Sequence, residues 1–160
     1  MTDELRSRLP EADYFPEMEA VAVGMTKIAR NGAIPSTTIS LVHLRAGQIT
    51  GTTYHTVRHA ELLRKAGEPE EKITAVASWT DAPYFTEAER VALELVEAVL
   101  APHTTTERVP DEMFERAAAQ YDDKELWTLT LIISQIMFFI PVATIAKPIP
   151  GKAPGKNYTK

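Results

Sequence analysis

The sequence predicts an all-α protein with a single domain. Apolar residues recur at helical spacing in successive segments, and turns containing Pro or Gly separate those segments. We find no convincing β-strand, no repeat at a fixed period and no linker long enough to divide the chain. With 160 residues and 44% apolar side chains, the chain can bury a hydrophobic core.

Two helices are predicted in the first third of the chain. Pro16 suits a first helical turn, and the apolar spacing that follows it continues to Gly32. After a turn around Pro35, Ser36 is the expected N-cap of the second helix. The apolar positions of that helix are Ile39, Leu41, Val42, Leu44 and Ile49.

Three further helices are predicted in the middle of the chain. One spans about residues 52–66 and ends at Gly67, a residue type favoured just after a helix C terminus. Another opens at Pro69. Thr86 and Glu89 have the spacing of a capping box at the start of the next one.

The last predicted helices span about residues 110–121 and 124–146, and the final one has an expected kink at Pro141. This final helix is strongly apolar, but it contains polar residues and has no basic cluster at one end. We therefore interpret it as a buried or oligomer-core helix and expect no membrane contact. Residues 1–146 are predicted to form the helical domain. Residues 147–160, with three prolines, two glycines and four lysines, are predicted to be a flexible tail.

Composition excludes several classes of function. The net charge of −5 argues against binding nucleic acid or anionic membranes. The chain has no cysteine, which excludes disulfides, thiolate nucleophiles, thiolate zinc sites and iron–sulfur clusters.

The N terminus is charged and lacks the apolar stretch of a secretory signal, so we expect a cytoplasmic protein.

A histidine pair is the main candidate for chemistry. His55 and His59 lie four residues apart on one predicted helix, so their imidazoles share a face. Such a pair can serve as acid and base, or it can bind a metal with His43 as a third ligand. A histidine pair at this spacing is more often a packed or solvated feature of a helix. We predict no cofactor and favour no metal.

Other polar candidates are weaker. Thr52 and Tyr54 could supply hydroxyl groups to a pocket, although capping alone would explain the threonine. Arg45 and Arg58 could bind a substrate carboxylate through paired hydrogen bonds, although solvated arginines are commoner.

Several separate sequence blocks keep a characteristic spacing from about residue 28 to about residue 146. They are densest between Leu44 and Glu89, where the sequence reads LRAGQITG…YH…HA…LLRKAGEPEEKI…ASWTDAPYFTEAE. In these blocks the chain resembles the AhpD-like carboxymuconolactone decarboxylase family. The resemblance implies an all-helical fold that self-associates as dimers, trimers or hexamers.

The family's thiol chemistry does not carry over. Peroxidase-type members use a glutamate, a Cys-x-x-Cys pair and a histidine. The resemblance places these positions at Ser40, at Thr52 and His55, and at His59. Only the histidine is kept. A threonine hydroxyl cannot replace a thiolate near neutral pH, so we expect no thiol alkylhydroperoxidase activity.

The last helix also departs from the family. Many members carry polar residues near its middle, whereas this chain has an almost wholly apolar run at residues 136–142. If that helix lines the family's pocket, Phe138 and Phe139 would bound it together with Met137. Tighter core or interface packing is the alternative explanation.

Two classes of function follow from the resemblance. In the first, the protein is an enzyme in which His59 and His55 act as acid and base on a small, largely apolar carbonyl or lactone compound. The reaction would be a decarboxylation, an isomerisation or a lyase step, with Ser40, His43, Thr52 or Tyr54 orienting the substrate. In the second, the protein is a non-catalytic scaffold or binding member with a degenerate site. The predicted partners are a small molecule and further copies of this chain.

Overall fold

The protein is all-α in the part of the chain that the computed structural model describes, namely residues 7–102, 107–152 and 155. The helices are α1 (Phe15–Ala29), α2 (Ser36–Thr50), α3 (Thr53–Lys65), α4 (Glu70–Ala75), α5 (Glu87–Leu100), α6 (Asp111–Ala118) and α7 (Asp123–Pro141). A 3-10 turn (Val76–Ser78) follows α4, and a π-helical turn (Val142–Ala146) follows α7. The predicted fold class is confirmed.

Capping boxes mark the start of two helices, α5 and α7. The predicted capping box opens α5: the Glu89 amide donates to Thr86 Oγ1 at 3.2 Å, and the Thr86 amide donates to the Glu89 carboxylate at 2.9 Å. The expectation for Ser36 was wrong, because Ser36 is the first helical residue and Pro35 holds the N-cap position without a side-chain cap. Asp122 starts α7 through a second capping box that was not predicted.

α2 is the central helix of the fold. It packs against α3 on one side and against α5 and α7 on another. Val42 and Ala46 belong to the core between α2, α5 and α7, whereas Leu41 and Leu44 belong to the core shared with α3 and the 3-10 turn. Because α2 is packed on several faces, its position is fixed relative to the other helices. Its polar side chains are therefore held in fixed positions as well.

α7 supplies one wall of the core. Its buried positions are Thr128, Leu129, Ile132, Ile133 and Ile136. By length and composition alone, Asp123–Ala146 could cross a membrane, with a mean hydropathy of 2.1. The core helix of a soluble protein passes the same test. The regular helix gives way to the π-helical turn just after Pro141, which lacks a backbone N–H, so the predicted irregularity lies at that residue.

The two ends of the described chain contact the helices. The Arg8 amide donates to the Ala146 carbonyl at 2.7 Å. Beyond that point Pro148 is buried, and the Tyr54 hydroxyl donates to the Lys152 carbonyl at 3.3 Å. The first part of the predicted tail therefore packs beside α3. Most of the last residues lie outside the described part of the chain, and the division at residue 146 stays a prediction.

Candidate functional site

Two glycines set the approach of α2 to α3. Gly51 ends α2 in a left-handed conformation at φ 65°, which permits the tight turn into α3. Gly47 lies where the helices touch: a Cβ atom there would lie 2.9 Å from the Thr56 backbone nitrogen and 3.1 Å from His55 Cβ. This close approach brings the histidines of α3 against the buried face of α2.

Three histidines converge at this contact. The rings of His43 and His59 meet edge to face, with their centroids 4.7 Å apart. The rings of His55 and His59 are nearly parallel, with centroids 6.1 Å apart. All three side chains are buried. The pair that the sequence indicated on α3 is thus joined by a third imidazole from α2.

His43 is held in one tautomer. Its Nε2 lies 3.0 Å from the Ile132 carbonyl, an acceptor, so Nε2 carries the proton and donates it. Burial lowers the pKa of His43 to about 4. The hydrogen bond to the Ile132 carbonyl raises this pKa in part, whereas the charges of His55 and Arg58 lower it further. His43 is therefore neutral near pH 7, with Nδ1 as its lone-pair nitrogen.

His55 and His59 differ from His43 because three of their four ring nitrogens lack a hydrogen-bond partner among the described residues. Nδ1 and Nε2 of His55 and Nδ1 of His59 are buried without a hydrogen-bond partner among the described residues. Burial lowers the pKa of His55, opposed in part by the nearby Phe139 carbonyl. Burial, followed by His43 and His55, lowers the pKa of His59 well below its usual value. Buried polar groups without partners are rare, and they commonly mark a place where a ligand or water completes the bonding.

A cavity of about 430 Å³ opens beside the three histidines. Its walls come from α1, α2, α3, α7, the π-helical turn and the tail. The described residues that line it are Ala22, Thr26, Ala29, Arg30, Ser36, Thr37, Ile39, Ser40, His43, Tyr54, His55, Arg58, His59, Leu62, Ala66, Gln135, Ile136, Phe139, Val142, Ala143 and Pro148. This volume suits a small organic molecule.

Most of the sequence-selected residues lie together in this lining, but Thr52, Met137 and Phe138 do not. Thr52 is buried in the turn before α3, where its hydroxyl lies 3.3 Å from that of Thr50. Phe138 is 46% exposed and lies outside the lining, as does Met137. α7 lines the cavity through Gln135, Ile136 and Phe139 instead. The sequence could not distinguish these faces, because nearly every residue of that stretch is apolar.

The arginine candidates also separate. Arg45 donates from Nε to Glu97 Oε1 at 2.6 Å and lies outside the cavity lining. Arg58 lines the cavity, as does Arg30 at the end of α1, a residue that sequence reasoning did not select. No local pattern singles out Arg30, since its place depends on how α1 packs against the rest of the fold.

The metal hypothesis rests on His43, His55 and His59. Among the described residues, no group of three or more His, Asp or Glu side chains has an arrangement that could hold a metal ion. His43 also commits Nε2 to the Ile132 carbonyl, which leaves only Nδ1 for a ligand bond. The geometry therefore gives no support to this ligand set.

Comparison with known sequences gives a family and two relatives. A sequence model of the carboxymuconolactone decarboxylase family matches residues 16–98. The uncharacterized protein YdfG of Bacillus subtilis is 32% identical over 133 residues, which cover 82% of this chain and 88% of YdfG. The uncharacterized protein YnjA of Escherichia coli is 40% identical over 63 residues, 39% of this chain and 33% of YnjA.

Solved structures share the fold. One is a protein of unknown function from Agrobacterium tumefaciens, described as an antioxidant defence protein AhpD. It superposes with a TM-score of 0.80 at 25% sequence identity, and the match covers 92% of this chain and 100% of that protein. The debrominase Bmp8 superposes with a TM-score of 0.73 at 18% identity, covering 85% of this chain and 72% of its own. At that identity the second likeness concerns the fold alone. The family match and the extended identity with YdfG show that the chain belongs to the carboxymuconolactone decarboxylase family, as a member without any cysteine.

Proposed function

We propose that this protein is an enzyme that moves protons on a small, largely apolar carbonyl or lactone compound, in a decarboxylation, isomerisation or lyase step. The observation that carries the proposal is the pair of buried imidazoles, His55 and His59, which line the cavity and have ring nitrogens without a hydrogen-bond partner among the described residues. Leaving such groups unsatisfied costs on the order of 1–3 kcal/mol each. A bound substrate that completes their hydrogen bonds would recover that cost.

The neutral state of the histidines suits acid–base work. A neutral imidazole has one N–H donor and one lone-pair nitrogen, so a pair of them can take a proton from one position and return one to another. In this proposal His59 and His55 are the acid and the base. Ser40 and Tyr54 border the same cavity and would orient the substrate or stabilise enolate-like negative charge. His43 would hold His59 in place through their edge-to-face contact.

Thiol chemistry is not available to this chain. The reduction of a peroxide by a cysteine pair requires a thiolate and a resolving thiol, and the sequence has neither. The fold itself is compatible with other reactions. Bmp8, which shares it, is a debrominase, and a cysteine-to-alanine variant of Bmp8 has been solved with 2,3,4-tribromopyrrole. A small ring compound in this fold is therefore a reasonable substrate type for the present chain.

Deuterium exchange tests the proposal without knowledge of the complete reaction. The protein is incubated in D₂O with a panel of small β-keto esters, cyclic ketones and unsaturated γ-lactones, and loss of the acidic C–H signals is followed by NMR. We expect exchange or conversion of at least one compound above the buffer rate. His59→Gln and His55→Gln should each abolish it, since glutamine keeps polar contacts but cannot transfer the proton. Circular dichroism and thermal unfolding check that the variants fold.

A non-catalytic binding role is the alternative. The same unpartnered nitrogens would then fix a ligand without reacting with it. A compound that binds with a measurable Kd, yet shows no exchange or conversion, favours this alternative. Activity that persists in both histidine variants contradicts the proposed acid–base pair.

A further inference from the structure

The cavity carries positive charge in a protein that is otherwise acidic. Arg30 from α1 and Arg58 from α3 both line it, and no Asp or Glu occurs among its described lining residues. The three histidines are neutral near pH 7, so these two guanidinium groups are its only formal charges in the described part of the chain. The chain as a whole has a net charge of −5. The charge of the cavity is therefore opposite to that of the molecule.

The two cavity arginines differ from the other described arginines in having no partner for the guanidinium group. Three arginines are paired with glutamates, and three donate to backbone carbonyls. The first group is Arg45, Arg64 and Arg116, and the second is Arg8, Arg90 and Arg108. Arg30 and Arg58 make neither kind of contact within the described residues and are exposed at the protein surface. No contact within the described part of the chain occupies their hydrogen-bond donors, so these donors could bind a ligand.

Other parts of the cavity lining are apolar. Ile136, Phe139 and Val142 line it from α7 and the π-helical turn, and Ala22 and Ala29 line it from α1. A ligand that fills the cavity would bury its body against these side chains. An anionic group on the same ligand could reach the exposed guanidinium groups while keeping part of its hydration.

We propose that the cavity binds an amphiphilic carboxylate, with the apolar body against Ile136 and Phe139 and the carboxylate held by Arg30 and Arg58. This inference rests on the proposed function in that it names the substrate class of the same site. A guanidinium group suits a carboxylate because its parallel N–H donors match the two carboxylate oxygens. The positive charge of Arg58 also acts on all three histidines. A bound carboxylate would offset that charge next to the acid–base pair.

Matched ligands test this charge selectivity directly. The probes are benzoate and hexanoate, each compared with its neutral amide, benzamide and hexanamide, by titration calorimetry or ligand-observed NMR at low salt. We expect each carboxylate to bind at least about tenfold more tightly than its amide, which is the scale of one charge-assisted hydrogen bond. Arg30→Ala and Arg58→Ala should each weaken carboxylate binding by about tenfold and change amide binding less than about twofold.

Two lysines serve as matched controls. Lys27 on α1 and Lys65 on α3 carry the same charge on the same helices but lie outside the cavity lining. Lys27→Ala and Lys65→Ala should leave both ligand classes within about twofold of the parent if the effect is local. Equal affinity for acid and amide, no binding of either, or equal losses in lysine and arginine variants overturns the inference.

The outcomes separate this inference from the proposed function. Carboxylate selectivity that depends on Arg30 and Arg58, without any proton exchange on carbonyl compounds, overturns the enzyme proposal alone. The opposite outcome overturns the anion-binding inference alone. In that outcome proton exchange requires His59, but its rate does not change in Arg30→Ala or Arg58→Ala and does not depend on a carboxylate in the substrate.

Discussion

The stability of this protein should fall steeply in mild acid because His43 is buried in its neutral form. In the unfolded chain the pKa of a histidine is near 6.5, whereas in the folded protein burial lowers the pKa of His43 to about 4. Between these values the unfolded state binds more protons than the folded state, so the free energy of unfolding decreases as the pH falls. The contribution is fully present above about pH 6.5 and is lost towards pH 4.

The size of the effect follows from the two pKa values. One pKa unit corresponds to about 1.4 kcal/mol, so the interval from 6.5 to about 4 corresponds to roughly 3 kcal/mol in total. Between pH 7.5 and pH 4.5, His43 alone should remove roughly 2–3 kcal/mol of stability. This is a large fraction of the stability of an ordinary domain. His55 and His59 act in the same direction, because their pKa values are also lowered.

Urea unfolding at several pH values from 7.5 to 4.5, in the parent protein and in His43→Gln, measures the contribution. Glutamine can still donate an N–H to the Ile132 carbonyl but does not titrate. The variant should be somewhat less stable than the parent at pH 7.5 and should lose roughly 2–3 kcal/mol less on acidification. Carboxylates titrate in both proteins, so the difference between the two curves reports the titration of His43 together with its effect on the pKa of His59. Parallel curves would refute the assignment of a buried, neutral His43.

Three further predictions concern the contacts around the site and the protein's surface. Gly47→Ala should destabilise the protein by about 1–3 kcal/mol in urea unfolding and reduce activity, because the added Cβ would press on the backbone of α3. In the control Gly24→Ala the added Cβ meets nothing within 4 Å, so this variant should be neutral or stabilising, and equal effects of the two variants would contradict the close approach of α2 to α3. The parent protein should self-associate in light scattering, and Leu131→Glu on the exposed apolar side of α7 should convert it to a monomer, whereas Phe114→Glu on α6 should not. A monomeric parent protein would contradict self-association through α7. Benzoate binding should take up protons at mildly acidic pH, measured by calorimetry in buffers of different ionisation enthalpy, because the anion offsets the charge of Arg58 and raises the pKa of His55. Proton uptake that is unchanged in Arg58→Ala would contradict that coupling.

Much of the helical framework could be predicted because its signals are local. Thr86 and Glu89 form the capping box that their spacing indicated, and Gly67 follows the end of α3 with a positive φ of 85°. Ser36 misled because a serine before an apolar run is a good N-cap, yet Pro35 takes that position in the chain. Composition was equally decisive, since a chain without cysteine has no thiol relay.

The candidate site was predicted less completely because its members come from distant parts of the chain. The spacing of His55 and His59 placed both rings on one face of α3, but spacing could not show that this face is buried. In the apolar run of α7, Phe138 and Phe139 look alike in sequence, and only packing turns one to the cavity and leaves the other half exposed. Arg45 and Arg58 likewise differ only in what surrounds them.

The sequence by itself determined an all-α chain of the carboxymuconolactone decarboxylase family, two imidazoles one turn apart and the absence of thiol chemistry. The tertiary structure decided that His43 meets His59 edge to face and that Arg30 lines the same cavity as Arg58. The physical reason lies in the range of the interactions. Helix periodicity and capping act over a few residues, whereas the cavity exists only where helices far apart in the chain bury their apolar faces together.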